Sequence, residues 1–196
     1  MIRRLLAVCC CTMLAAAAIP AQDAPRFANL TTSRVLVLPA QEVIGAQDKT
    51  AWLARFDSLF TARLADGGIG AGWAYAGDAV HYMRQNPAYL SDPHMMGTQA
   101  LKAEKIKPGT PLTEPFASRL RAYVAIANSR NAIVPVAARL DSTVTPHVAK
   151  LQVAIVDARL SQVVLTLAVD AKYEGAPIAA AESLAAAMAR LFVSNQ

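Results

Sequence analysis

The chain has no cysteine after its eleventh residue. Cys9, Cys10 and Cys11 are the only cysteines among 196 residues, and all three lie in an apolar run from Leu5 to Ala18. Removal of that run on export leaves a mature protein without a disulfide, a thiol nucleophile or a cysteine metal ligand. These classes of chemistry are excluded from the mature chain.

Motifs for phosphate and acyl chemistry are missing as well. No G-x-S-x-G nucleophile elbow occurs in the sequence. The only glycine-rich stretch, residues 67–72, follows a predicted helix and has no lysine, so it does not suit a phosphate cradle. Without Arg3 and Arg4 the chain has 17 basic and 14 acidic residues, and these are scattered. No basic stripe indicates nucleic-acid binding.

The first 21 residues have the pattern of a secretory signal peptide. Arg3 and Arg4 form a basic region, an apolar run follows, and Ile19-Pro20-Ala21 supplies a small-residue exit. This pattern predicts cleavage after Ala21 and a periplasmic or secreted protein. The alternative is a transmembrane anchor, but the run is shorter than the about 20 residues needed to cross a bilayer. We therefore expect no transmembrane segment after cleavage.

Lipidation is a second alternative, because a cysteine after a short apolar stretch can be the lipid-bearing residue of a bacterial lipoprotein. Val8 precedes Cys9 where a small residue is expected, and the apolar run continues past all three cysteines. The sequence therefore favours a cleaved signal peptide, followed by a flexible leader at residues 22–33.

The clearest strand signal lies between Ala149 and Tyr173. Apolar residues alternate with other residues on both sides of a turn at residues 157–162, namely Leu151, Val153, Ile155, Val163, Leu165, Leu167 and Val169. Alternation places these side chains on one face of two paired strands. Two strands alone are marginal in water, so we expect helices to cover that face.

Three amphipathic segments are predicted to provide the cover. The first begins at Asp48 or Thr50 and ends near Asp66, the second begins at residues 113–115, and the third runs from Pro177 to Val193. Their inward residues are predicted to be Trp52, Phe56, Leu59, Phe60 and Leu64; Phe116, Leu120, Tyr123, Val124 and Ala127; and Ile178, Leu184, Met188, Leu191 and Phe192.

Further strands are predicted at Arg34–Pro39, Gly70–Tyr75 and Ala132–Leu140, with residues 41–48 as a connecting loop. Pro135 cannot donate a ladder hydrogen bond, so it implies an edge strand or a bulge. The prediction is a single α/β domain over residues 34–193 with a mixed sheet of about five strands packed with helices. The element order is β-α-β-(short α)-α-β-β-β-α.

Residues 77–111 are predicted to be a helical insertion in this domain. Four aromatic residues lie in or next to it, in a region that the core does not obviously need: Trp73, Tyr75, Tyr82 and Tyr89. Aromatic residues are favoured at protein interfaces, so these residues form the predicted contact surface. The alternative, that the rings fill a subsidiary core, remains open.

The element order and two short motifs resemble a family of bacterial envelope domains. The motifs are Val156-Asp157-Ala158-Arg159 at the hairpin turn and Val163-Val164-Leu165 beyond it, and Arg34–Pro39 is similar to the family's first strand. The family includes the amino-terminal domain of TolB, the curli-secretion protein CsgG and lipoprotein activators of penicillin-binding proteins. The resemblance implies a non-enzymatic envelope domain that acts through protein contacts.

The chain departs from this family at two positions of the hairpin. Leu160-Ser161-Gln162 replaces a turn that usually contains glycine, and Thr166 stands where an aromatic residue is common. The lipid-bearing cysteine and the transmembrane hairpins of the curli pore are also missing. A pore is therefore not expected.

Two alternatives from other functional classes remain. His81, His94, Met95 and Met96 offer imidazole and thioether ligands that suit copper, although their spacing matches no metal motif and methionine is common core material. A hydrolase would need Ser91 or Ser118 to meet His94 and Asp92 in space. Asp157 and Arg159 are interpreted as turn formers and an exposed charge pair rather than as acid and base.

The sequence therefore predicts an exported, non-enzymatic interaction or assembly module of the bacterial cell envelope, without a cofactor or a catalytic residue. Its partners are expected to be envelope proteins. The first alternative is a periplasmic protein that binds a small molecule or copper, and the second is a hydrolase.

Overall fold

The computed structural model describes Leu30 and residues 33–69, 72–103 and 106–193. The predicted signal peptide lies outside the described residues, as does the predicted leader except for Leu30 and Ser33. The described part forms a five-stranded mixed sheet packed with helices, which confirms the predicted fold class. None of the helices in this part has an apolar segment of membrane-spanning length.

The sheet is built around three long antiparallel strands. The strands are β1 (Val35–Val37), β2 (Val43–Ile44), β3 (Asn131–Asp141), β4 (His147–Asp157) and β5 (Gln162–Tyr173). β4 lies between β3 and β5, while β1 and β2 both pair in parallel with the other side of β3. The β4–β5 hairpin is thus the predicted one, and it is joined to the rest of the sheet through β3.

Of the stretch predicted as a strand at residues 70–75, the structure describes residues 72–75, and these contribute only an isolated bridge between Leu36 and Ala74. The fifth strand is instead β2, in a segment predicted to be a loop. Two residues of β2 reach a neighbour because β3 is long enough to pair with β1 near one end and with β2 near the other. Alternation of side chains within two residues gives no usable sequence signal.

Within residues 33–193, the described part contains four α-helices: α1 (Lys49–Asp66), α2 (Ala76–Gln85), α3 (Phe116–Ala127) and α4 (Ala179–Val193). A 3-10 helix lies at Gln99–Lys102. α1 begins at Asp48, whose carboxylate accepts the amide N–H of Ala51, and it ends at Gly67. These bounds agree with the prediction because capping residues and a regular apolar stripe mark both ends of the helix.

The two faces of the sheet support separate cores. On the first face, Val153 and Ile155 of β4 pack with α1 and α4. On the second face, Ala154 and Val156 pack with α3 and the segment before it. Successive residues of a strand point to opposite faces, so each central strand supplies both cores at once. The domain is therefore a three-layer arrangement with helices on both sides of the sheet.

Aromatic rings join α1 to α4 in the first core. Trp52 and Phe56 are stacked with centroids 5.6 Å apart, Phe56 and Phe60 are 5.9 Å apart, and Phe60 lies 6.3 Å from Phe192. The indole N–H of Trp52 donates to the carbonyl of Pro177 just before α4. The other predicted inward residues of α1 and α4 are buried, except that Leu59 and Leu191 are half-buried against this core and Ile178 is 45% exposed. Ile178 lies outside α4, so the helical periodicity does not extend to it.

Pro135 lies within β3 and inside the sheet. The register between β3 and β4 shifts between Pro135 and Ala137, so the proline occupies a β-bulge rather than an edge strand. Its carbonyl accepts the amide N–H of Gln41, which ties the β1–β2 connection to β3. A bulge tolerates proline because the ladder is already interrupted at that point.

A buried carboxylate fixes the turn between β4 and β5. Asp157 Oδ1 accepts the backbone N–H groups of Arg159 and Leu160, while Oδ2 lies 2.8 Å from Nε and 2.7 Å from Nη2 of Arg130. Desolvation raises the pKa of Asp157, but the hydrogen bonds from Arg130 and the turn amides outweigh it and lower the pKa. The interpretation of Asp157 as a turn former is correct. The prediction that Asp157 forms an exposed charge pair with Arg159 is wrong, because the carboxylate is buried against Arg130.

Ser161 has a left-handed backbone conformation in the turn between β4 and β5. Its φ is 49°, in the left-handed region that side-chain-bearing residues adopt at a cost. The hydrogen bonds of Asp157 to the preceding turn residues help to hold this conformation in place. The turn thus forms in this chain without a glycine.

Substitution of Gly67 tests the contact between the end of α1 and the end of α4. A Cβ at Gly67 would lie 2.3 Å from Cγ2 of Val193, although the φ of −78° at Gly67 suits alanine. We expect Gly67→Ala to lower the free energy of unfolding by about 1–3 kcal/mol through overpacking. In a Val193→Ala background the cost becomes smaller. Urea denaturation of wild type, the two single variants and the double variant measures the cost of Gly67→Ala in each background. An equal cost in both backgrounds contradicts the contact.

Substitution of Asp157 tests the buried carboxylate. We expect Asp157→Asn to lower the free energy of unfolding by about 2–4 kcal/mol, because the charge that holds Arg130 and the turn is removed. Since the folded pKa is lowered, this stability is present above the unfolded pKa and is lost as pH falls through the folded pKa. Urea denaturation from neutral to acidic pH measures both effects.

Asp170→Asn is the matched control, because Asp170 and its partner Lys150 are both more than half exposed. An exposed pair contributes less than about 1 kcal/mol. Equal losses for the Asp157 and Asp170 variants would show that the Asp157 carboxylate has no special role.

Candidate functional site

The chain between α2 and the 3-10 helix forms a surface loop without regular secondary structure. We call residues 86–98 the Tyr89 loop. Side chains from distant parts of the sequence hold its second half. Gln41 is the main contact: its Nε2 donates to the carbonyl of Pro93 at 2.8 Å, and its Oε1 accepts the amide N–H of Met96 at 3.0 Å. One amide side chain thus fixes two backbone points of the loop.

α3 holds the same loop from the other side. The hydroxyl of Tyr123 donates to the carbonyl of Ser91 at 2.6 Å, and Arg119 donates to the carbonyl of Met95. Burial raises the pKa of Tyr123 to about 12, with a further contribution from the charge of Asp92. The phenol therefore stays protonated and able to donate at neutral pH.

Two apolar side chains of the loop anchor it in the second core, and two others face solvent. Leu90 and Met96 are buried, whereas Tyr89 is 82% exposed and Met95 is 69% exposed. Exposed Tyr89 thus precedes buried Leu90, and exposed Met95 precedes buried Met96. The result is an ordered loop that presents a phenol ring and a thioether outside the protein.

The four aromatic residues predicted to form a contact surface lie in different environments. Trp73 is buried and meets Phe192 edge-on at 5.8 Å. Tyr75 is half-buried and donates its hydroxyl to the carbonyl of Ile69, and Tyr82 packs against the second core. Of the four, Tyr89 alone is exposed as a large apolar group. Met95, which we predicted only as a metal ligand, is the residue that accompanies it at the surface.

A cleft of about 600 Å³ lies between α1 and the start of α2, next to the Tyr89 loop. Polar side chains line it, among them Asp57, Ser58, Thr61, Asp78 and His94, together with alanine and valine methyl groups. The side chain of Asp57 is only 12% exposed. A partly buried carboxyl group in a cleft is a feature that functional sites share.

The hydrogen bonds of Asp57 and His94 define the chemistry of this cleft. Asp57 Oδ1 accepts the amide N–H of Ala40 at 2.9 Å, and Asp57 Oδ2 lies 3.9 Å from Nε2 of His94. Nδ1 of His94 lies 3.1 Å from Oδ1 of Asp92. Burial raises the pKa of Asp57 to about 7, partly offset by the Ala40 hydrogen bond. The imidazole thus lies between two carboxyl groups.

The hydrolase alternative needs a hydroxyl on that imidazole. In the part of the chain that the structure describes, both ring nitrogens of His94 face carboxyl oxygens and no serine hydroxyl bonds to them. Ser118 donates its hydroxyl to the carbonyl of Pro115 in the first turn of α3. Ser58 lines the cleft but makes no hydrogen bond to His94. This arrangement lacks the nucleophile–base pair of a hydrolase.

The residues proposed as copper ligands are placed differently from one another. His81 on α2 and Met95 are exposed, whereas Met96 is fully buried in the second core. His94 lies in the cleft beside Asp57 and Asp92. Within the described ranges, no three His, Cys, Asp or Glu side chains are arranged to hold a metal ion.

Comparison with known proteins gives weak similarities only. No protein-family model matches the chain, and no curated protein matches it significantly in sequence. Three solved bacterial structures are similar in fold. The PelC dodecamer of Paraburkholderia phytofirmans is 13% identical over 84% of this chain and 87% of that chain, with a TM-score of 0.41.

The other two are the lipoprotein GNA1162 of Neisseria meningitidis and the LpoB C-terminal domain of Salmonella enterica. GNA1162 is 12% identical over 73% of this chain and 82% of that chain, with a TM-score of 0.41. The LpoB domain is 10% identical over 76% of this chain and 95% of that chain, with a TM-score of 0.42. At these values the similarity assigns neither a family nor a function.

The buried carboxyl group of Asp57 leads to a prediction about pH. A raised folded pKa contributes stability that is present below the unfolded value of 3.8 and is lost as pH rises through about 7. We expect the free energy of unfolding to fall by up to about 1.4 kcal/mol per pH unit in that window. Asp57→Asn removes this contribution and is more stable than wild type above pH 7. Urea denaturation at a series of pH values measures it.

Asp66→Asn, at the exposed end of the same helix, is the control and should keep the wild-type slope. An unchanged slope in Asp57→Asn would show that this carboxyl group ionises in the folded protein as it does in the unfolded chain.

Proposed function

We propose that this chain is an exported, non-enzymatic interaction module of the bacterial cell envelope that binds another envelope protein through the Tyr89 loop. The observation that carries the proposal is the exposure of Tyr89 and Met95 on a loop whose backbone is held by side chains from two separate parts of the chain, Gln41 and the helix α3. Export is inferred from the first 21 residues of the sequence.

Exposure alone is common for apolar residues, so the support comes from the combination of exposure and order. Gln41, Arg119 and Tyr123 hold the loop at four backbone groups within residues 91–96. A fixed loop loses little conformational entropy when a partner binds. Tyrosine and methionine are both enriched at protein interfaces.

The sequence and the fold supply further support for a binding role over an enzymatic one. The cleft beside the loop contains a histidine, but its ring nitrogens already face Asp57 and Asp92. Functional contacts of a domain usually lie on loops that a rigid scaffold positions, and the Tyr89 loop is such a segment. A contact with another protein uses the exposed side chains without requiring a reactive group.

Site-specific photocrosslinking in living cells tests the proposal. A photoreactive phenylalanine analogue is introduced at Tyr89, at Met95, or at Ile178 as a control, since Ile178 is 45% exposed next to α4. We expect positions 89 and 95 to give the same adduct with one envelope protein, identified by mass spectrometry. Position 178 should not give it.

A second substitution tests whether the adduct reports a specific interface. Met95→Asp in the chain that carries the crosslinker at position 89 should reduce the adduct at least about tenfold, because a charge would be desolvated at the contact. Ile178→Asp should leave it unchanged. An adduct that survives Met95→Asp, or one equally strong from position 178, overturns the proposal.

A further inference from the structure

Three arginines from separate elements line one surface pocket on the same side of the sheet as α3. The pocket has a volume of about 490 Å³ and lies where α3 ends, β3 begins and the β4–β5 turn passes. Arg121 comes from α3, Arg130 from the residue before β3, and Arg159 from the turn. We call this the arginine pocket. Among the described residues that line it, none has an acidic side chain.

The three arginines differ in how far their charge is matched. Arg130 binds Asp157 through Nε and Nη2, and that buried carboxylate matches its charge. Arg121 lies 3.2 Å from Glu114, but both side chains are more than half exposed and such pairs are weak. The guanidinium of Arg159 has no ion pair within the described residues.

The end of α3 does not account for this cluster. A helix carboxyl terminus carries about half a negative charge, which favours one nearby cation rather than three. The N–H groups of Asn128 and Ser129 also occupy the last carbonyls of the helix. Like charges that share a concave surface repel one another and concentrate a positive potential there. An anion in the pocket would relieve this repulsion.

The residue types indicate which anion fits. Guanidinium groups bind phosphate and carboxylate oxygens through paired N–H donors, and Arg130 is already oriented by its bonds to Asp157. With one of the three charges matched by a buried carboxylate and another only weakly paired, the pocket suits a dianion better than a monoanion.

We propose that the arginine pocket binds a phosphate group, with Arg121, Arg130 and Arg159 as its cationic ligands. The group is either free phosphate or the phosphate monoester of a lipid headgroup. This site is separate from the Tyr89 loop.

Two binding measurements on the purified protein distinguish these sources. The first follows amide chemical shifts during a titration with inorganic phosphate at constant ionic strength, with chloride as the compensating anion. The second measures cosedimentation with phosphatidylcholine vesicles that contain phosphatidic acid, against vesicles of phosphatidylcholine alone. Free phosphate binding indicates the soluble ligand, and binding to phosphatidic acid vesicles alone indicates the headgroup.

The variants are Arg159→Gln and Arg121→Gln. Arg159→Gln keeps the turn, because it is the backbone N–H of residue 159 that bonds to Asp157. Each variant should weaken binding about tenfold or more through loss of a charge-assisted hydrogen bond. Unchanged thermal unfolding without phosphate confirms that the variants fold.

Arg139→Gln is the matched control, since Arg139 is exposed, lies toward the opposite end of β3 and has no ion pair within the described residues. It should bind like wild type in both measurements. No saturable binding in either measurement, or an equal loss in Arg139→Gln and Arg159→Gln, overturns the proposal and leaves a diffuse positive surface.

Discussion

The buried carboxylate of Asp157 is the constraint on which the second half of the fold depends. Its two oxygens join the turn after β4 to Arg130 at the start of β3, so three consecutive strands share one fixed point. This point also sets where α3 must end, because α3 leads directly into β3. The arrangement brings Arg121, Arg130 and Arg159 together around the same pocket. Asp157 in the turn motif thus has a structural role that does not depend on whether the pocket binds a ligand.

Gln41 has a comparable role in the first half of the chain. It follows β1, and its backbone N–H bonds to the bulged residue Pro135 of β3. Its side chain bonds to two points of the Tyr89 loop. The loop is therefore held by the sheet itself rather than by its own secondary structure. An exposed ring on such a loop binds a partner at a small cost in conformational entropy, because the loop backbone is already fixed.

The predicted and observed elements agree best where local periodicity is strong. α1 and α3 have capping or turn signals and regular apolar stripes, so their bounds follow from neighbouring residues. The Tyr89 loop could not be predicted, because Gln41 and Pro93 are 52 residues apart in the chain. The same reason explains the error about Asp157, whose partner Arg130 lies 27 residues earlier and not in the turn.

The sequence by itself determined the alternation of the long strands, the apolar stripes of the helices and the turn that Asp157 forms with its neighbours. These features depend on contacts within a few residues, which spacing reveals. The tertiary structure decided that Trp73 is buried while Tyr89 is exposed, and that three dispersed arginines meet in one pocket. Such outcomes depend on which distant elements pack together, and the spacing of residue types along the chain does not reveal that packing.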